Sequence, residues 1–303
     1  MPVRPPAIAA HDIRKRYGDT TAVDAVSFDI GDGEFFGLLG PNGAGKTTTL
    51  EIVEGLREPD GGDVRVLGLP PWPRNPALLP RIGVQMQTSA FFERLTAAEQ
   101  IHTFAALYGV AERRGDELLE QFGLADKAGA RVEWLSGGEA QRLSIACALV
   151  HDPEVVFLDE PTAGLDPQAR RNLWDLLRDI NTAGRTVVLT THYLEEAEVL
   201  CDRVAIIDHG RILECDSPEA LIRKVEAVTR ITVQAGQLDS DELRKRFPEA
   251  AVREDDDSLV IASREPGPVL TELAAQGALR DLTVRGATLE DAFLALTGRE
   301  YRS

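Results

Sequence analysis

Short apolar runs alternate with helix-like segments up to about Ala220. The runs AVSFDI, EFFGLLG, VVFLDE and TVVLTTH are predicted strands, and the segments GKTTTLEIVEGL and QARRNLWDLLRDI are predicted helices. Strands that alternate with helices favour an α/β fold with a mostly parallel sheet. From Thr96 to Phe122 the pattern is helical and lacks a strong strand, which predicts a helical lobe inserted at about residues 90–150.

The pattern changes after about Val225. The remaining segments follow the order strand, helix, strand, strand, helix, strand, helix, which is a ferredoxin-like order with one additional helix. We therefore predict two domains. A large domain would span residues 1–225, and a small α+β domain would span residues 226–303.

Composition narrows the classes of function. The chain has 303 residues, 43% of them hydrophobic, and a formal net charge of −17. Such a charge repels the nucleic-acid backbone, so we expect no nucleic-acid partner. The three cysteines lack CxxC spacing, which indicates neither a zinc site nor a disulfide framework. No apolar run is long enough for a transmembrane helix, so we expect any membrane role to depend on a partner.

The strongest chemical signal is a glycine-rich loop between a predicted strand and a predicted helix. Its sequence fits G-x-x-x-x-G-K-[ST], in which backbone N–H groups wrap phosphates, the lysine meets the β and γ phosphates and the hydroxyl ligates magnesium. The loop predicts a nucleotide site formed by Gly40, Pro41, Asn42, Gly43, Ala44, Gly45, Lys46, Thr47 and Thr48.

Two carboxylates and a second glycine motif complete the candidate site. Asp159 and Glu160 end the apolar run VVFLDE, and we assign Asp159 to the metal and Glu160 to the general base. The segment LSGGEAQR opens a predicted helix. A serine hydroxyl and bare backbone N–H groups at its start, at Ser136, Gly137 and Gly138, predict a second anion site. Taken alone, LSGGE could also be a plain helix cap.

In combination these motifs resemble the nucleotide-binding subunit of ATP-binding-cassette (ABC) transporters. The resemblance covers about Ile13 to Glu219 and includes GPNGAGKTT, LSGGE, FLDEPTAGLD and TTH in the order of that family. It implies a P-loop NTPase cassette with an additional antiparallel β portion. It also implies a head-to-tail homodimer, in which LSGGE of one subunit covers the ATP held by the P-loop of the other.

The resemblance assigns roles to further residues. Gln87, with Gln85 as a less favoured alternative, matches the glutamine that reaches magnesium and senses the membrane subunit. His192 matches the histidine at the γ phosphate, Asp166 matches the aspartate that links the two sites, and Tyr17 matches the aromatic residue that stacks on adenine. Glu139 departs from the glutamine or methionine that is usual after LSGG.

The tail TLEDAFLALTGRE adds a narrower resemblance, to ATPase subunits of drug exporters of the daunorubicin-resistance type. It implies an ATPase with ATP and Mg²⁺ as cofactors that powers export of a drug-like or other hydrophobic compound. The partner would be a separate integral membrane permease, at the cytoplasmic face of the cell membrane. The same segment could instead be an amphipathic helix that packs into the small domain.

Two other classes are less consistent with the chain. A soluble ABC ATPase of DNA repair or translation usually has a long coiled-coil or zinc insertion, or two cassettes, and this chain has one cassette and a strongly negative charge. A small-molecule kinase with a P-loop has no need of LSGGE or FLDEPTAGLD.

Overall fold

A computed structural model describes residues 5–87, 91–92, 94–224, 229–235, 238–255, 258–279 and 281–298. The strands are β1 Ile8–Tyr17, β2 Thr20–Ile30, β3 Phe35–Leu39, β4 Gly61–Val66, β5 Ile82–Gln85, β6 Val155–Asp159, β7 Thr186–Thr191, β8 Arg203–Asp208, β9 Arg211–Asp216, β10 Thr229–Gln234, β11 Ala251–Asp255, β12 Ser258–Ser263 and β13 Thr283–Arg285. The helices are α1 Lys46–Val53, α2 Ala97–Leu107, α3 Glu112–Gln121, α4 Gly137–Leu149, α5 Pro167–Thr182, α6 Leu194–Leu200, α7 Pro218–Lys224, α8 Ser240–Arg246, α9 Pro266–Ala275 and α10 Leu289–Thr297.

The central sheet has the order β5-β6-β7-β3-β8-β9. Its first five strands are parallel, and only β9 is antiparallel to its neighbour. Every residue of β3, β6 and β7 is buried, as expected for strands covered on both faces. The prediction of an α/β fold with a mostly parallel sheet is confirmed.

A second, antiparallel sheet has the order β2-β1-β4. Its apolar residues share a core with the central sheet, in which the rings of Phe28 and Phe36 stack with their centres 5.4 Å apart. The helical lobe consists of α2, α3 and α4, which follow one another between β5 and β6. Helix α2 begins with a capping box, because Thr96 and Glu99 each accept a hydrogen bond from the backbone N–H of the other.

The contacts divide the chain into two compact units between Pro218 and Glu219. The predicted boundary at residue 225 falls outside the described residues. In the second unit the four strands have the order β11-β12-β10-β13 and every pair is antiparallel. This is the ferredoxin-like order, and it has its own core, which includes Ile231, Ile261 and Leu273.

Across the described ranges, no helix is long and apolar enough to cross a bilayer.

Candidate functional site

The phosphate loop lies at the carboxyl end of β3 and leads into α1. Two glycines are required there by close backbone approach. A Cβ at Gly40 would lie 2.3 Å from the Ile207 carbonyl oxygen, and one at Gly45, where φ is +102°, would lie 2.3 Å from the Ala22 carbonyl oxygen. Among the described residues no side-chain hydrogen bond caps the start of α1, so its backbone N–H groups are available to an anion.

Lys46, the first residue of α1, is buried beneath this loop. Its Nζ donates hydrogen bonds to the carbonyl oxygens of Gly40, at 2.9 Å, and Pro41, at 3.3 Å. It also lies 3.3 Å from Oε1 of Glu160. Burial lowers the pKa of Lys46, and the charges of Glu160 and Asp159 act in the opposite direction.

Asp159 is the last residue of β6 and lies beside the loop. Its Oδ1 accepts hydrogen bonds from the hydroxyls of Thr190 and of Thr47, the latter at 3.3 Å. Burial raises its pKa, and the two threonine hydrogen bonds partly offset that rise. A buried carboxylate and a hydroxyl oxygen side by side suit Mg²⁺, which takes oxygen ligands and few of them from the protein.

Glu160 follows β6 in a left-handed backbone conformation, with φ of +48°. Such a conformation costs about 1–3 kcal/mol in a non-glycine residue and is concentrated at functional sites. The strand end is fixed because the Glu160 N–H donates to the carbonyl and hydroxyl oxygens of Thr190, at 3.2 and 3.0 Å. The conformation directs the carboxylate towards the phosphate loop, where Oε1 meets Lys46.

The other carboxylate oxygen of Glu160 contacts two further predicted residues. Nδ1 of His192 lies 3.1 Å from Oε2, and Nε2 of Gln87 donates to the same oxygen at 3.5 Å. Gln85, the alternative, is 1% exposed and donates to the Met86 carbonyl instead. Lys46, Gln87 and His192 therefore meet around one carboxylate.

Three of these groups, Lys46, Gln87 and Glu160, line a cavity of about 300 Å³. It is lined by Ala22, Asn42, Gly43, Gly45, Lys46, Thr47, Thr48, Gln87 and Glu160. Of the remaining predicted loop residues, Ala44 is buried and Gly40 and Pro41 supply the carbonyls that hold Lys46.

The LSGGE segment is not part of that lining. Ser136 caps α4 in a reciprocal box with Glu139. The Ser136 hydroxyl accepts from the Glu139 N–H at 3.3 Å, and one Glu139 carboxylate oxygen accepts from the Ser136 N–H and hydroxyl at 2.8 and 2.9 Å. Lys127 Nζ lies 3.4 Å from the other oxygen. The hydrogen bonds from Ser136 hold the pKa of Glu139 below its usual value, so this carboxylate is charged.

Asp166 and Tyr17 also lie outside the cavity lining, as do Asp159 and His192. Asp166 caps α5 and accepts from the N–H groups of Gln168 and Ala169. Tyr17, at the end of β1, is 42% exposed, and the Arg57 guanidinium lies 5.3 Å from the centre of its ring.

Sequence reasoning missed Thr190 and the Glu139–Lys127 ion pair. Thr190 could have been found from the sequence, because it lies at the end of the buried strand TVVLTTH, two residues before His192. The second joins residues that are distant in sequence and has no local signal.

A phosphate loop between strand and helix, with two carboxylates at the end of the neighbouring parallel strand, defines a P-loop nucleotide hydrolase. Comparisons with known proteins identify which kind. The family model described as ABC transporter matches residues 23–163. The chain is 42% identical to Nod factor export ATP-binding protein I of Cupriavidus pinatubonensis over 96% of this chain and 90% of that protein. Identity to the protein of the same name from Sinorhizobium fredii is also 42%, over 98% and 87% of the two chains.

Solved structures agree. An ATP-binding subunit of an ABC transporter superposes with a TM-score of 0.66 at 29% identity, covering 72% of this chain and 92% of that one. A dimeric, post-hydrolysis ATP-binding cassette with ADP and phosphate gives 0.63 at 28% identity, covering 69% and 98%. The chain belongs to the ATP-binding subunits of ABC transporters, and it is an ATPase.

Proposed function

We propose that this chain is the ATP-hydrolysing subunit of an exporter and works as a homodimer that shares two ATP molecules between its subunits. One observation carries the proposal. Lys46, Gln87 and His192 meet at Glu160 beside the cavity. Ser136 instead bonds to Glu139 of its own helix, and neither Ser136 nor Gly138 lines the cavity. A second predicted phosphate site that lies outside its own chain's cavity is suited to bind the nucleotide of a second copy.

Within each site, the residues of this chain would divide the work. Backbone N–H groups of the loop and Lys46 would bind the β and γ phosphates, and Ser136 and Gly138 of the second copy would close over them. Tyr17 would stack on the adenine, a contact that requires only the face of a ring. Asp166, at the start of α5, would link the two sites.

The donor set at the strand end suits magnesium. Thr47 and Asp159 would hold it, with Gln87 as a further oxygen ligand. When bound, Mg²⁺ would neutralise phosphate charge. Glu160 would accept the proton of the attacking water, and His192 would hold the γ phosphate in place. The Glu160 contacts with Lys46 at 3.3 Å and with His192 at 3.1 Å support this division, because they keep the carboxylate beside both phosphate-binding side chains.

The proposal also specifies that the ATPase powers export. The relatives that match over nearly the whole chain are named as export ATP-binding proteins. The chain would dock on a separate permease at the cytoplasmic face of the cell membrane, and the cargo would be a drug-like or other hydrophobic compound. These relatives do not favour the alternative, a soluble ABC ATPase of DNA repair or translation.

The test is co-expression with a permease encoded beside this reading frame. We expect the chain to sediment with membranes only when the permease is present. Inverted vesicles should then accumulate an amphipathic fluorescent dye in an ATP-dependent manner, and Glu160→Gln should abolish the accumulation. An active ATPase that stays in the soluble fraction beside the permease, or that binds single-stranded DNA or ribosomes, would contradict export.

A further inference from the structure

The aromatic ring of Tyr193 contacts both the ring of His192 and a cation on helix α5. Tyr193 directly follows His192, and the centres of the two rings are 4.2 Å apart. The guanidinium carbon of Arg170, which lies on α5, is 3.9 Å from the centre of the Tyr193 ring. A guanidinium over an aromatic face is a cation–π contact, and Arg suits it because its group is planar.

A buried carboxylate lies next to this stack. Glu196, on α6, is fully buried, and its Oε1 accepts a hydrogen bond from Trp174 Nε1 at 3.2 Å. Burial raises the pKa of Glu196, and the charge of Arg170 opposes that rise. The Nε of Arg170 is buried and donates to no acceptor within the described part of the chain. The ring of Tyr193 and the charge of Glu196 both act on this guanidinium.

The same turn of α5 lies beside the LSGGE segment. A Cβ at Gly138 would lie 3.5 Å from Ala169 Cβ and 3.8 Å from a Leu165 methyl carbon, so α4 begins against the start of α5. Ala169 is adjacent to Arg170 in sequence. Gly138 thus lies beside Ala169, the residue before Arg170, and Arg170 contacts Tyr193, the residue after His192.

We propose that Arg170 and Tyr193 are positioning residues, whose stacked side chains hold His192 against Glu160 and tie that histidine to the start of the LSGGE helix. This inference rests on the proposed function, in which His192 acts on the nucleotide of its own chain and Gly138 on that of the partner. A displacement of about 1 Å at a catalytic group can cost about 100-fold in rate, so a clamp on His192 has a measurable consequence.

The test is steady-state ATP hydrolysis with magnesium, together with ATP binding measured by equilibrium dialysis. Arg170→Ala should lower kcat about 10- to 100-fold and leave KM and ATP affinity nearly unchanged, because the phosphate loop is untouched. Tyr193→Leu should give the same loss. Tyr193→Phe keeps the ring face and should restore most of the rate, whereas Arg170→Lys loses the planar group and should restore little.

A double variant separates positioning from general destabilisation. If the two side chains act as one unit, Arg170→Ala with Tyr193→Leu should be no slower than either single variant. Arg171→Ala removes a neighbouring exposed arginine of α5 and serves as the matched control, with kcat at the parent value.

Several results would overturn the clamp. A folded Arg170→Ala chain with kcat within twofold of the parent would do so, as would a KM that rises while kcat stays unchanged. Losses of kcat that multiply in the double variant, or an equal loss of kcat in Arg171→Ala, would also do so. If Arg170→Ala unfolds, comparison of Tyr193→Phe with Tyr193→Leu decides, since equal rates would contradict a role for the ring. A parent chain without ATPase activity would instead overturn the proposed function.

Discussion

Helices α1 and α4 begin at the two places that we propose hold phosphate, and their first turns are built in opposite ways. The start of α1 has no side-chain cap from the part of the chain that the structure describes, and glycines bring its backbone close to neighbouring carbonyls. The start of α4 is closed by its own residues, because the Glu139 carboxylate takes both the N–H and the hydroxyl of Ser136.

The difference indicates different tasks. An uncapped helix start beside a buried lysine is ready to bind phosphate without help. A helix start whose donors already bind a charged carboxylate holds phosphate only if that carboxylate gives way. The α4 site therefore suits a ligand that arrives on another surface and is held there by other groups, which is the arrangement proposed for the dimer.

The largest effect on ATP hydrolysis is expected from Glu160, the proposed general base, which contacts Lys46 at the start of α1. Glu160→Gln should lower the rate of ATP hydrolysis by about 10²- to 10⁴-fold and keep ATP binding, because the amide cannot accept the proton while the phosphate contacts remain. Phosphate release and equilibrium dialysis measure the two quantities.

Glu154→Gln is the matched control for that variant. Glu154 lies just before β6 and pairs with Arg81 at 2.5 Å, outside the cavity lining, so its loss should leave the rate unchanged. Turnover of Glu160→Gln within a few-fold of the parent would exclude Glu160 as the general base.

A moderate effect is expected on the α4 side. Glu139→Gln retains a residue that can complete the capping box but removes its charge. At contact distance a unit charge in water is worth about 1 kcal/mol, so ATP-driven dimerisation should tighten by about fivefold. Sedimentation of the Glu160→Gln chain, with and without the second substitution, measures this change.

Glu133→Gln controls for removal of a nearby negative charge, since Glu133 pairs with Arg131 just before LSGGE. Equal tightening in the control, or weaker dimerisation in Glu139→Gln, would show that the capping carboxylate does not compete with phosphate.

The smallest effect is expected from the region that contains neither helix start. Deletion of residues 226–303 should leave the Kd for ATP nearly unchanged, because β10 to β13 have their own core and the cavity lining lies wholly before them. Dimerisation or coupling can still weaken. Loss of nucleotide binding in a soluble, folded truncation would argue against the two-domain division.

Much of this arrangement could be predicted from the sequence, because the phosphate loop and strand ends are local. The residues that shape the phosphate loop are consecutive in GPNGAGKT. The run VVFLDE places Asp159 and Glu160 at the carboxyl end of a predicted parallel strand. The strand order of the second unit also followed from its sequence of elements.

Contacts between distant residues could not be predicted in the same way. The left-handed conformation of Glu160, the support from Thr190 and the Lys127 partner of Glu139 each depend on tertiary packing. The Arg170–Tyr193 stack is another example, since those residues lie on different elements and neither belongs to a phosphate motif.

The central claim, that each ATP site combines Lys46 of one subunit with Ser136 and Gly138 of the other, is tested most directly by mixing two defective chains. Lys46→Ala removes the phosphate-binding charge. Gly138→Asp places a carboxylate at the α4 start, and its Cβ would lie 3.5 Å from Ala169 Cβ, an ordinary contact that the fold accommodates. Each variant alone should fail to occlude ATP.

The account predicts that ATP occlusion returns on mixing. A heterodimer pairs the intact phosphate loop of the Gly138→Asp chain with the intact LSGGE of the Lys46→Ala chain, which restores one whole site. Differently tagged chains establish that heterodimers form, and trapping of labelled ATP reports occlusion. Heterodimers that form and trap no more ATP than either variant alone would contradict the shared site and leave LSGGE as a helix cap.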